Sequence, residues 1–328
     1  MRRRTFIRGA GAALAGIVAA PAVLAQGTWP QPGRTIRVIV PWPPGAANDA
    51  LGRLLAQRLQ EKLGATTVVE NRVGGAGLVG TSAVIQAAPD GYTLLASAFN
   101  TAVMPLVLKG ANFDPETDLD VVARTARAPL VLIMTAARPQ QTLAQVVEAA
   151  KTSPRDWAIA ISSLGSAGHL ATIDFTRRTG IKFDLVPYRG TAPALTDIMG
   201  GNVQLLFDPA FALLPAASDP ARARALGIAS RTRSKLAPDL ATIGEQGLPG
   251  FEFNSWYGVW APKGTPREIT QKVNDLIQET MRDPALVSRL TTQLLEPVAE
   301  SIDDSKKFIA SEIARARELL KLVNFQPS

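Results

Sequence analysis

The feature that most constrains this chain is a rhythm in which short apolar runs alternate with longer stretches whose apolar residues recur at helical spacing. That alternation specifies strand–helix units and mainly parallel sheets, and so an α/β fold. Residues 35–41 (TIRVIVP) read as a first strand. After a loop over residues 42–48, Leu51, Leu54, Leu55, Leu59 and Leu63 share one helical face, with Asn48 or Asp49 as N-cap and Gly64 as stop. A strand at 66–70, a glycine-rich loop at 74–77, a helix at 78–88 and a strand at 92–96 follow, and residues 97–100 open another helical stretch. The rhythm restarts with the apolar run 129–134. Strands at 158–161, 184–187, 203–207 and 226–230 then alternate with helices at 142–152, 169–179 and 192–199. A late strand at 256–262 precedes helices at 266–282, 284–294 and 303–322.

The chain has 328 residues, above the size at which one hydrophobic core usually divides, so two α/β lobes are expected. The first lobe is assigned residues 26–127 and 252–328, with the last helices returning to it, and the second residues 128–251. The N-terminus reads as an export signal over residues 1–25. Arg2, Arg3, Arg4 and Arg8 precede an alanine-rich apolar stretch that ends in the small-residue pattern Val23-Leu24-Ala25. Arg3-Arg4-Thr5-Phe6-Ile7 fits the twin-arginine pattern, so export by the Tat route to the periplasm is expected. The apolar run is short for a membrane span of about 20 residues, and no other segment approaches one.

Removing that signal lowers Lys plus Arg from 35 to 31 against 28 acids, a net charge of +3 rather than +7. No basic run interleaved with aromatics remains, which argues against nucleic-acid binding. With no cysteine, disulfides and thiolate metal sites are excluded, and with a single histidine, His169, a zinc site is not expected. The acidic run Asp114, Glu116, Asp118 and Asp120 reads as a solvated loop rather than a calcium site. No metal or cofactor is expected.

Two motifs invite enzymatic readings. Gly75-Ala76-Gly77-Leu78-Val79-Gly80 matches G-x-G-x-x-G, but Asn71-Arg72-Val73 separate it from the strand, and residue 100, where the ribose-binding acid would fall, is Asn. Ser166 and His169 could suggest a hydrolase, yet the nucleophile elbow requires Gly where Leu164 stands. No catalytic residue is assigned. What remains is a set of loops rich in Gly, Ser, Asn and Thr at strand-to-helix junctions: residues 43–48, 97–100, 162–168 and 189–191. Each combines backbone N–H groups with the positive end of a helix dipole, which suits a carboxylate. In open α/β sheets such loops gather at the carboxyl ends of strands, here facing one another across a cleft.

The residues in these loops resemble those of a known family. Val40-Pro41-Trp42-Pro43-Pro44-Gly45-Ala46-Ala47-Asn48-Asp49 with Arg53, Val69-Glu70-Asn71-Arg72, and Ala88-Pro89-Asp90-Gly91-Tyr92-Thr93-Leu94 resemble the Bug (Bordetella uptake gene) family. These are the periplasmic receptors of tripartite tricarboxylate transporters. Ser163-Leu164-Gly165-Ser166-Ala167-Gly168-His169, Val186-Pro187-Tyr188-Arg189-Gly190, Phe207-Asp208 and Trp256-Tyr257-Gly258 continue the match in order over almost the whole mature chain. The resemblance implies a Venus flytrap fold, a cleft for di- or tricarboxylates or aromatic acids, and delivery of the loaded monomeric receptor to membrane permease subunits. A sensor reporting to a membrane kinase is the alternative of the same class.

Carried over by position, the resemblance places Pro44, Gly45, Ala46, Ala47 and Asn48, and Ser163, Gly165, Ser166 and Gly168, on carboxylate ends. Ser97 and Asn100 would line the cleft, Gly190 and Thr191 would cap it, and Asp208 would lie near its floor, meeting a hydroxyl, amine or water. The chain departs from the family in having Gly45-Ala46 where a Gly-Gly pair is usual, and the added methyl narrows the approach of backbone to ligand. Trp42, where Phe or Tyr is common, offers a broader wall suited to an aromatic or larger acid.

Overall fold

A computed structural model describes residues 28–235 and 237–327. The export signal expected over residues 1–25 lies outside them. The strands are β1 (Thr35–Val40), β2 (Thr66–Asn71), β3 (Thr93–Ala98), β4 (Leu119–Thr135), β5 (Ala158–Ile161), β6 (Asp184–Pro187), β7 (Leu205–Pro209), β8 (Ala223–Ile228), β9 (Asn254–Pro262) and β10 (Glu296–Pro297). The helices are α1 (Ala47–Leu63), α2 (Leu78–Ile85), α3 (Phe99–Val107), α4 (Leu143–Thr152), α5 (Ala167–Thr179), α6 (Thr191–Gly200), α7 (Ala210–Ala216), α8 (Arg267–Arg282), α9 (Pro284–Thr292) and α10 (Ile302–Leu322).

The path β2-β1-β3-β9-β4-β7-β5-β6 joins two mixed sheets through β4. In the first sheet β1 pairs in parallel with β2 and β3, and β9 lies antiparallel between β3 and β4. In the second, β5 pairs in parallel with β6 and β7, and the last part of β4 runs antiparallel to both β7 and β8. Pro129 of β4 pairs with Asn254 of β9, whereas Leu130 is already opposite Pro209 of β7. The chain therefore crosses to the second lobe within β4 and returns to the first ahead of β9.

Charge obscured the first half of β4 in the sequence. Asp120, Arg124 and Arg127 interrupt its apolar alternation, and register shifts between Val121 and Ala123 and between Arg124 and Ala126 break the period of two. The charges are met locally. Arg124 forms a fork with Glu300, Nε to Oε1 at 2.7 Å and Nη2 to Oε2 at 2.5 Å, while its backbone N–H donates to the Ser305 hydroxyl. Asp120 likewise accepts from Lys263 and from the Gly264 amide.

Three apolar clusters hold the layers. One face of the first sheet packs on α1, α8 and α9 through Leu55, Leu59, Val273, Ile277, Met281 and Leu286. Each such side chain contributes about 1.5–3 kcal/mol on burial. A second cluster lies under α6 and α7 through Ala194, Ile198 and Leu213. The third runs through both lobes, joining α2, α3 and α10 of the first to α4 and α5 of the second, with Phe99, Trp256, Leu170, Phe175 and Phe207 among its members. Helix ends follow local chemistry. Gly64 and Gly180 end α1 and α5 in left-handed conformation, and the Ser166 hydroxyl caps α5 by accepting from the His169 N–H at 3.1 Å.

Candidate functional site

The loops that follow β1, β5 and β6, together with the β7–α7 junction, converge on a cavity of about 520 Å³ between the lobes, within the range of small-molecule sites. Pro44, Gly45, Ala46, Ala47, Asn48 and Asn100 line it from the first lobe, and Ser163, Ser166, Gly168, Gly190, Thr191 and Asp208 from the second. Ser97 and Gly165 do not. β3 continues to Ala98 and α3 begins at the next residue, so no loop exists there. Ser97 is 2% exposed and accepts the Thr101 hydroxyl at 2.8 Å. Gly165, at φ +74°, lies where the second lobe meets α3. A Cβ there would stand 2.9 Å from Val107 Cγ2.

The backbone donors differ from those expected in the sequence. Pro44 has no N–H, the Gly45 N–H donates to Asp49 Oδ2 at 3.0 Å, the Gly165 N–H to His169 Nδ1 at 3.1 Å, and the Gly190 N–H to the Ser162 carbonyl at 2.7 Å. These bonds shape the loops. Amides left without an acceptor among the described residues lie one to three positions later, in the first turns of α1 (Ala47 and Asn48), α5 (Ala167 and Gly168) and α6 (Thr191 and Ala192). Three helix N-termini thus present N–H groups and positive dipole ends to one cavity.

Each loop is held by side-chain hydrogen bonds. Asp49, at the third position of α1 rather than at its cap, accepts from the Gly45 N–H, Arg53 Nε at 2.9 Å and Asn71 Nδ2 at 2.9 Å. Burial opposes its ionisation, but these donors outweigh it and hold its carboxyl below the usual value. Asn71 also donates to the Trp42 carbonyl. Glycines of the G-x-G-x-x-G segment fit beneath the same loop: Cβ atoms on Gly77 and Gly80 would come within 3.4 Å of Trp42 and 2.8 Å of Pro41. That motif serves packing here. In the second lobe, Asp208 at the end of β7 accepts the Ser162 hydroxyl at 3.0 Å and the Thr191 hydroxyl at 2.5 Å, tying the loops before α5 and α6 together. Asp208 therefore meets two protein hydroxyls. It is 4% exposed, and burial pushes its carboxyl up to about 6 despite both bonds.

Between the lobes, Asn100 Nδ2 reaches the Ser163 hydroxyl at 3.5 Å and the Leu164 carbonyl at 3.4 Å. Trp42, Leu130, Leu195, Phe211 and Tyr257 supply apolar wall, and Arg189 is the one cationic side chain lining the cavity among the described residues. Leu130, Phe211 and Tyr257 escaped sequence reasoning, because an apolar residue facing a cavity has the same pattern as one facing the core. Tyr257 is buried, which raises its phenol well above the ordinary value, so it stays protonated.

Ser166 and His169 do not form a nucleophile–base pair: the hydroxyl caps the His169 backbone, while the imidazole accepts the Gly165 N–H and packs on Phe325. Burial pushes that imidazole down to about 4. Among the described residues no group of three His, Asp or Glu side chains could hold a metal, and no helix is long and apolar enough to cross a membrane.

Two α/β lobes joined by β4 and by the segment ahead of β9, with an anion-suited cavity between them, define the architecture of periplasmic solute-binding proteins. Comparison with known proteins gives the family. Residues 51–325 match the tripartite tricarboxylate transporter family receptor, and the chain belongs to that family. It is 37% identical to Protein BugT of Bordetella pertussis over 289 residues, 87% of each chain. The structure of periplasmic binding protein BugD matches with a TM-score of 0.82 at 28% identity, covering 91% of this chain and all of that one. Rpa4515 of R. palustris with adipate matches at 0.85 and 34% identity over 90% and 99% of the two chains. MatC from Rhodopseudomonas palustris with bound malate matches at 0.81 and 27% identity over 88% and 100%.

Proposed function

We propose that this chain is an exported receptor that captures a small carboxylate, a di- or tricarboxylate or an aromatic acid, and delivers it to the permease subunits of a tripartite membrane transporter. Tat export to the periplasm is part of this reading, as are a monomeric state and lobes divided at residues 127/128 and 251/252. The observation that carries it is the convergence of the first turns of α1, α5 and α6, with unspent N–H groups, on one interlobe cavity. An anion gripped by Ala47 and Asn48 from one lobe and by Ala167, Gly168, Thr191 or Ala192 from the other draws the lobes together. The family match and the relatives named with adipate and malate support the ligand class.

Thermal-shift measurements on the mature chain against mono-, di- and tricarboxylates, with sugars and divalent metals as controls, test this. A ligand at one hundred times its Kd stabilises the native state by about 2.7 kcal/mol. A saturable rise of several degrees with at least one acid is expected. No response to the acids, with a response to sugars or metals, would overturn the reading.

A further inference from the structure

Beside its N–H donors the cavity holds acceptors that protein groups leave under-used. Asp208 receives only the Ser162 and Thr191 hydroxyls, neither of them charged, and no Lys or Arg pairs with it among the described residues. An ionised carboxylate has about four acceptor positions, so part of its capacity is unspent. Asn48 lines the same cavity from α1 and is 8% exposed. Its Oδ1 is buried with no donor among the described residues. A buried acceptor without a donor carries a standing desolvation cost. Because no hydrogen bond holds the Asn48 Oδ1, the amide can turn toward whatever enters.

These groups oppose part of the ligand that the helix N-termini attract. A molecule presenting only carboxylate oxygens satisfies the backbone amides and sets its remaining acceptors against Asp208. A molecule that also carries an O–H or N–H gives that donor a partner. Of the other ionisable groups lining the cavity, Tyr257 is paired with Ser255 and close enough to Asp208 to interact with it electrostatically without a hydrogen bond to it, and Arg189 is exposed and bonded to no described residue.

Resting on the carboxylate reading above, we infer that the site selects acids whose carbon skeleton also bears a hydroxyl or amino group, with Asp208 and Asn48 as the residues that read that donor.

Calorimetric titration of the mature protein with matched series tests it: succinate, malate and aspartate; adipate, 2-hydroxyadipate and 2-aminoadipate; 3-phenylpropionate, phenyllactate and phenylalanine. In the series that binds, a donor-bearing member should bind at least about tenfold tighter than its donor-free parent, which is about 1.4 kcal/mol. The hydroxyl and amino members separate the two sources of the donor. Asp208→Asn should reduce that ratio at least several-fold and strengthen binding of the donor-free acid. Asn48→Leu, on the other lobe, should also reduce the ratio, and it carries the test if Asp208→Asn does not fold. Equal or tighter binding of the donor-free parents, or a ratio unchanged in both variants, overturns this inference and leaves the receptor reading standing. Failure of every acid to bind overturns both.

Discussion

Replacing Asp208 with asparagine isolates the cost of placing an unneutralised carboxyl at the floor of the cavity. The side chain is 4% exposed and bonded only to two hydroxyls, and burial raises its pKa from 3.8 to about 6. The unfolded chain releases this proton near 3.8, so between that value and about 6 the native state holds a proton that the unfolded state has lost. Stability therefore falls as pH rises through this window. The cost is absent below the unfolded value and complete above the folded one. At about 1.4 kcal/mol per pKa unit, a rise of roughly two units amounts to about 3 kcal/mol. Asparagine has no charge to desolvate and escapes it. Its altered bonds to Ser162 and Thr191, about 1 kcal/mol each, shift stability by the same amount at every pH. Urea unfolding of both ligand-free proteins from pH 4 to pH 8 gives the difference curve. It should move in favour of the variant by about 3 kcal/mol, with most of the change complete by pH 7. A flat curve would refute the argument, and a curve of opposite slope would mean that a cation neutralises Asp208.

Three further substitutions, at two positions, separate shape from charge. Gly168→Ala would place Cβ 2.2 Å from the Phe207 carbonyl oxygen, forcing α5 off the end of β7. A loss of about 1–3 kcal/mol in urea unfolding should accompany loss of the carboxylate thermal shift, and unchanged binding would exclude the α5 N-terminus from the site. Ser166→Ala removes the cap on the His169 N–H and should cost about 1 kcal/mol. Ser166→Asp should restore that stability while its charge repels the ligand, measured as retained melting temperature with lost ligand response.

The sequence identified the cavity's loops more accurately than the atoms that act within them. Gly, Pro and Asn at strand ends mark where the chain must turn, and those turns after β1, β5 and β6 do meet at the cavity. Composition does not reveal which amide remains free. Asp49, His169 and the Ser162 carbonyl claim the amides of Gly45, Gly165 and Gly190, and the donors pass to Ala47, Ala167 and Thr191, residues with no distinguishing chemistry of their own. Ser97 was misplaced because β3 passes directly into α3. The first half of β4 was missed because Arg124 and Asp120 find partners far away in sequence, Glu300 and Lys263. Hydrophobic periodicity cannot anticipate a charge neutralised by a distant stretch of the chain.

At Pro129, β4 leaves one sheet for the other. Proline has no N–H to give to a ladder, and it stands opposite Asn254, the first residue of β9. Immediately beyond it the Leu130 N–H donates to the Phe253 carbonyl, the Phe253 N–H to the Ala229 carbonyl and the Ala229 N–H to the Leu130 carbonyl, so three separate segments of chain are tied to one another where the sheets part. A flexible linker would permit many relative orientations. Backbone cross-tied by hydrogen bonds at the seam holds the two lobes to a narrow set of relative orientations.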